Sequence, residues 1–185
     1  MADKKKYALR FSGFGGQGVV LASIIFAEAL AAEGYNVLQT QSFGIEARGG
    51  ASRGEVLCGR EKLNYLKVVN PDILVAMTQL ACDTYLKDLT PDGLLICDSF
   101  YVEKVPARTS GKTYAVPFTT LAQQELGKAL FANIIFLGFL NGVTGLVAPE
   151  KLEEAVLNRV APRFHDQNRR ALQIGYEEAE KALAN

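Results

Sequence analysis

The sequence predicts one α/β domain over residues 1–185, with three α/β/α layers around a mostly parallel, Rossmann-like sheet and a helical C-terminal part. Three observations predict it. A strand pattern at residues 7–11 enters Gly13-Phe-Gly-Gly-Gln-Gly18, and an alanine-rich apolar run of helical length follows. Residues 71–77 and 94–97 are apolar almost throughout, as central parallel strands buried on both faces are. From residue 119 onward the patterns are helical and no further strand is indicated.

Taken in order, the first helix spans residues 19–33, with Leu21, Ile24, Ile25, Ala29 and Leu30 as its buried stripe and Gly34 positioned for a left-handed cap. Residues 36–41 form the second strand and residues 55–58 a third. Residues 59–62 read as a hairpin turn, with 63–69 returning apolar. After the strand at 71–77, Thr78 caps a helix through Cys82, Tyr85 and Leu86. Residues 91–93 turn into the strand 94–97, which ends at Asp98, a polar strand terminus or cap in preference to a catalytic acid. Residues 112–116 are the last strand. Thr119 and Thr120 are placed to cap a helix over 121–126. Gly138, Gly142 and Gly145 in the apolar stretch 128–146 indicate close helix packing, and Asn133 and Asn141 argue against a membrane span. Pro149 opens a helix, and a final helix carries Leu172, Tyr176 and Leu183.

Composition narrows the function. Twenty basic residues balance twenty acidic ones, so no global field recruits nucleic acid or membrane. The lysine-rich start before a strand is unlike a signal peptide, and a cytoplasmic location is expected. Cys58, Cys82 and Cys97 are scattered in apolar surroundings, and His165 is the single histidine. Neither a metal site nor a redox centre is expected on this chain.

Two stretches carry chemistry. Gly13, Gly15 and Gly18 fall on the G-x-G-x-x-G spacing, with Gly16 extra and Gln17 inside. Such a turn lets backbone approach a phosphate at the start of a helix, whose N–H groups and partial positive charge favour an anion. The same glycines serve equally to pack the first helix tightly on the first strand. A nicotinamide or flavin dinucleotide is disfavoured, because the second strand ends in Gln39 and Gln41 where an acidic residue would hold the ribose. The second stretch, residues 41–54, is polar and glycine-punctuated, with Glu46, Arg48, Gly49, Gly50, Ser52 and Arg53. It faces a ligand, a subunit partner or solvent.

The Gly13-x-Gly-Gly-Gln-Gly18-Val motif, the Glu46-x-Arg-Gly-Gly50-x-Ser52 loop, the strand from Pro71, Asn133 followed by Gly138, and the late helix through Asn168, Gly175 and Tyr176 together resemble the gamma subunit of 2-oxoacid:ferredoxin oxidoreductases. The resemblance covers nearly the whole chain. It implies a subunit, with no catalytic residue of its own, of an enzyme that oxidatively decarboxylates 2-oxoacids to acyl-coenzyme A. Thiamine diphosphate, magnesium and iron–sulfur clusters are implied for the alpha, beta and delta partners, and ferredoxin as electron acceptor. Among substrates 2-oxoglutarate is slightly favoured over pyruvate and branched-chain 2-oxoacids. Gly13, Gly15, Gly16, Gln17, Gly18, Glu46, Arg48, Gly49, Gly50 and Ser52 are the implied cofactor-binding set, with coenzyme A phosphates the ligand and Arg48 and Arg53 available for bidentate contacts. In isolation the loop is expected to be mobile or stabilised by a crystal or homodimer contact. The alternative is a free-standing Rossmann-type nucleotide-binding or sensory module, which would purify alone.

Overall fold

The computed structural model describes residues 6–42, 52–64 and 67–184. β1 (Lys6–Gly13) leads into α1 (Val19–Ala32), followed by β2 (Asn36–Ser42) and β3 (Ser52–Gly59). β4 (Ile73–Ala76), α2 (Gln79–Tyr85), β5 (Leu94–Asp98) and β6 (Lys112–Val116) complete the sheet. Four helices close the chain: α3 (Phe118–Leu126), α4 (Ala132–Thr144), α5 (Pro149–Arg159) and α6 (His165–Ala184). The strand order is β2-β3-β1-β4-β5-β6. Only β3 runs against its neighbours; β1, β4, β5 and β6 pair in parallel.

Local chemistry sets the element ends. Gly34, at φ +91°, closes α1: its N–H donates to the Ala31 carbonyl and the Tyr35 N–H to the Leu30 carbonyl, which is a Schellman cap. The Thr78 hydroxyl accepts the Ala81 N–H at the start of α2, as its sequence position indicates. Pro149 takes the first turn of α5, where its missing N–H costs nothing. Gly145, expected in a helix contact, instead caps α4 at φ +63°.

The layers are unequal. One sheet face carries α1, α3, α4, α5 and α6 over a core that includes Leu9, Phe11, Phe26, Ile73, Phe136 and Phe139. The other is covered by α2 and neighbouring coil over Leu74, Leu95, Cys82, Cys97 and Val102. Within the thick layer, α4 and α6 cross at Gly138 and Gly175. A β-carbon on Gly175 would lie 2.6 Å from the Phe139 nitrogen and 2.8 Å from the Gly138 α-carbon. Asn141 is buried there without strain, exchanging hydrogen bonds with the Val147 backbone at 2.9 and 3.1 Å. No described helix is long and apolar enough to cross a membrane.

Three expectations are corrected. Residues 63–64 and 67–69 form no strand, because β3 already pairs with β1 on one side and β2 on the other and offers no free edge. α3 begins at Phe118 with Pro117 at its cap position, and Thr119 is inside the helix with its hydroxyl turned to Asp98. On α1, Leu21 and Ile24 are only half-buried, whereas Ala22 and Phe26 are fully buried. An almost uniformly apolar helix has no polar face to show which side turns inward.

A buried ion network went unread in the sequence. Arg10, in the middle of β1, donates to Glu55 at 2.7 Å, to Asp88 at 2.5 Å and to the Val68 carbonyl at 3.3 Å. Its guanidinium also lies 4.9 Å from the centre of the Tyr85 ring. Burying such a charge is tolerable only where it is paired and hydrogen-bonded, and here each guanidinium nitrogen has a partner.

Candidate binding site

The carboxyl ends of the parallel strands lie along one edge, and the strand order reverses between β1 and β4. A crevice outside that point is where open α/β sheets place ligands. Here it holds a cavity of about 110 Å³ lined by Phe14, Gly16, Gln17, Met77, Tyr101 and Thr119, so the glycine turn forms one wall.

The turn is fixed by Gln17. Its amide oxygen accepts the Phe14 N–H at 2.9 Å, and its amide nitrogen donates to the Met77 carbonyl at 3.0 Å. That bridges the ends of β1 and β4. The Met77 N–H in turn donates to the Ser12 carbonyl at 2.8 Å. The glycines divide by role. A side chain at Gly13 would run into the Gln17 amide oxygen and approach Met77 at 3.0 Å. One at Gly18, which caps α1 at φ +73°, would run into the Asn133 amide. Those two glycines serve packing. Gly15 and Gly16 have open space where a β-carbon would stand, and Gly16 sits at φ +100°. α1 has no side-chain cap and no acidic residue in its first turn, so its N-terminal N–H groups stay available to an anion.

Ser52 stands opposite Gly13 across the β1–β3 ladder, and its carbonyl accepts the Ser12 hydroxyl at 3.0 Å. The link between β2 and β3 therefore leaves from the same edge as the glycine turn. Glu46, Arg48, Gly49 and Gly50 lie outside the described residues. The Arg53 guanidinium is 4.0 Å from Glu55 and 5.6 Å from the centre of the Tyr85 ring.

Asp98 ends β5 beneath this edge, fully buried. Its carboxylate accepts from the Thr119 hydroxyl at 2.5 Å and from the Phe100 N–H at 3.1 Å. Burial pushes its carboxyl above the usual aspartate range, partly offset by those hydrogen bonds. Thr119 stands between it and the cavity, so Asp98 is a cap for the following turn and helix. Among the described residues this edge supplies N–H donors and aromatic surface rather than a nucleophile with its base.

With this geometry in place, comparison with known proteins is decisive. Residues 8–178 match the family described as pyruvate ferredoxin/flavodoxin oxidoreductase. The chain belongs to that family. It is 39% identical to the 2-oxoglutarate synthase subunit KorC of Methanocaldococcus jannaschii, covering 96% of each chain. The crystal structure of the keto/oxoacid ferredoxin oxidoreductase gamma subunit from Geobacter sulfurreducens superimposes with a TM-score of 0.86 at 40% identity, covering 97% of this chain and 99% of that one. The ketoisovalerate oxidoreductase subunit VorA of Methanothermobacter thermautotrophicus is 32% identical over 95% of this chain but only 37% of its own length. In VorA the same domain is thus one part of a longer polypeptide. The gamma-subunit resemblance and the α/β fold expected from the sequence both stand.

No described group of three or more His, Cys, Asp or Glu could hold a metal ion. All three cysteines are buried as free thiols. Burial pushes Cys58 up to about 12, and a hydrogen bond with Cys82, then burial, raises Cys97. The same hydrogen bond lowers Cys82, but Cys58 and Cys97, held protonated in apolar packing, are poor cluster ligands. Among the described residues these cysteines do not fit an iron–sulfur cluster.

Proposed function

We propose that this chain is the gamma subunit of an oxidoreductase that converts a 2-oxoacid and coenzyme A into acyl-coenzyme A and CO2, with the electrons passing to ferredoxin. 2-Oxoglutarate is the favoured acid, supported by the end-to-end likeness to KorC. Alpha and beta subunits, with delta where present, are its partners, and the complex works in the cytoplasm. Thiamine diphosphate and iron–sulfur clusters supply the bond-breaking and electron-transfer chemistry when bound by those partners.

This chain's own part is to receive a phosphate of coenzyme A at the glycine turn. The observation that carries this reading is the division among the glycines. Gly15 and Gly16 are open where Gly13 and Gly18 are filled by neighbours, and Gly16 lines the switch-point cavity beside the N-terminus of α1. Gln17 holds the turn's shape, leaving the N–H groups of the turn and of the first turn of α1 to face an anion. Glu46, Arg48, Gly49 and Gly50, on the segment that β2 and β3 carry to this edge, are proposed to join from the side as phosphate or subunit contacts.

Steady-state kinetics of the reconstituted complex test this. Gly15→Ala and Gly16→Val are expected to raise KM for coenzyme A roughly tenfold or more, with KM for the 2-oxoacid unchanged. An unchanged coenzyme A KM in both would show that the turn is no phosphate cradle. Purification of the tagged chain from its native host without thiamine-diphosphate-binding subunits would favour a free-standing module instead.

A further inference from the structure

We propose that the aromatic ridge beside the glycine turn is the surface on which the neighbouring catalytic subunit docks. The inference rests on the subunit reading above and adds the face and the residues. Eight large apolar side chains are exposed among the described residues, and six of them, Phe14, Leu80, Phe100, Tyr101, Val105 and Leu130, stand at the carboxyl edge of the sheet. An apolar concentration of this kind on an otherwise charged surface marks a protein contact.

The ridge is preorganised. Tyr101 packs edge-on against Phe14 at 5.4 Å and against Phe100 at 4.7 Å, so the three rings brace one another. The segment carrying Phe100, Tyr101 and Val105 is held at both ends. The Tyr101 and Val102 N–H groups donate to the Asp98 carbonyl at 3.1 and 2.9 Å. Gln79 accepts the Lys104 N–H at 3.0 Å and donates to the Lys104 carbonyl at 3.2 Å. Rings fixed before contact lose little conformational freedom on binding, which is why aromatic anchors dominate interface energetics. Behind Tyr101 opens a bay of about 650 Å³ flanked by Gln79, Asp83, Glu103 and Val105, roomy enough for an inserted segment of another chain.

Two observations identify the occupant. The outer faces of α5 and α6 carry ion pairs such as Arg169 with Glu153, Arg170 with Glu177 and Lys181 with Glu178, the pattern of a solvated surface. The carboxyl edge is instead apolar at its centre. In VorA, moreover, this domain is covalently joined to further sequence of the same polypeptide, so adjoining protein is built into that relative. KorC, by contrast, is matched over 96% of its own length, so in that relative the corresponding neighbour is a separate chain. Its contact surface is expected to be apolar at the centre, with polar groups facing Asp83 and Glu103 at the rim.

The test co-expresses the chain with the thiamine-diphosphate-binding subunits of the same enzyme and measures assembly by size-exclusion chromatography with light scattering. Tyr101→Asp and Leu130→Asp are compared with Leu183→Asp on α6, and circular dichroism melts of each isolated variant confirm folding. Patch variants that melt like the wild type yet assemble at least tenfold more weakly, with Leu183→Asp assembling normally, support the proposal. Normal assembly by both patch variants overturns the docking surface and leaves the subunit reading intact. Loss of a homodimer of the isolated chain, with the complex unaffected, overturns it in favour of a second copy. A raised coenzyme A KM with normal assembly makes the ridge a ligand surface and overturns it too. A wild-type chain that binds none of these subunits removes the subunit reading and the docking proposal together.

Discussion

Gly175→Ala places a single methyl group at the tightest helix crossing in the molecule. The added β-carbon would meet the Ile135 carbonyl oxygen, with the Phe139 nitrogen at 2.6 Å and the Gly138 α-carbon at 2.8 Å. All three are backbone atoms, so no side chain can rotate out of the way. Restoring a carbon–carbon separation of about 3.5 Å requires α4 and α6 to part by roughly 0.7 Å. Overpacking of this kind costs about 1–3 kcal/mol. A backbone obstacle belongs at the upper end of that range, and replacing a helical glycine by alanine returns about 1 kcal/mol. The net loss is about 2 kcal/mol, a fall in Tm of about 4–8 °C for a domain of this size. Thermal unfolding followed by circular dichroism measures it, with Gly15→Ala as the control in open space. A Gly175→Ala protein that melts at or above the wild-type temperature would refute the argument, because the crossing would then be loose enough to take a side chain.

Other outcomes are equally definite. Gly16→Ala is expected to lose about 1–2 kcal/mol of stability from its positive φ alone, while Gly15→Ala stays within about 0.5 kcal/mol of wild type; equal urea midpoints for the two would show that the turn relaxes freely. Arg10→Met takes from buried Glu55 its 2.7 Å partner, leaving only Arg53 at 4.0 Å, and is expected to cost about 3–5 kcal/mol, much of it recovered in Arg10→Met/Glu55→Leu; an additive double mutant would deny the coupling. The raised carboxyl of Asp98 means that the folded state holds its proton more tightly than the unfolded chain. Its contribution to stability is therefore full below the ordinary aspartate value of about 3.9 and declines as pH rises through the folded value. Asp98→Asn keeps an acceptor for the Phe100 N–H and a partner for Thr119, and should remove that decline in urea titrations across pH. A loss above about 2 kcal/mol at pH 7 would show that the charge itself is required.

The legible parts of this fold were those written in local chemistry. Gly34, Thr78 and Pro149 each mark a helix end by a mechanism confined to one turn, and each acts as its position indicates. The strands at β4 and β5 were legible because burial on both faces leaves an unbroken apolar run. What escaped depends on partners distant in sequence. Thr119 reads as a helix cap until Asp98, 21 residues earlier, is seen to accept its hydroxyl. Arg10 reads as an ordinary strand residue because Glu55 and Asp88 lie 45 and 78 positions away. At the glycine turn the spacing left two readings open, a phosphate approaching the backbone and tight packing of the first helix. It had no means to show that Gln17 and Asn133 crowd Gly13 and Gly18, leaving Gly15 and Gly16 open.

The single reversed strand also governs how the amino-terminal third can assemble. β1 and β2 are separated by β3, and among the described residues β2 has no other partner in the sheet. Two strand spacings put β1 and β2 about 9.5 Å apart, beyond any mutual hydrogen bond. The α1 crossover therefore delivers β2 to a place where it cannot yet bind, and β3 must arrive as a wedge. Because β2 and β3 are consecutive and antiparallel, the economical route is for them to zip together first and dock onto β1 as a finished ribbon. Hydrogen exchange should then show the β2 and β3 amides opening together, apart from the β4–β5–β6 ladder. The edge that carries the candidate site would be completed only by that late docking.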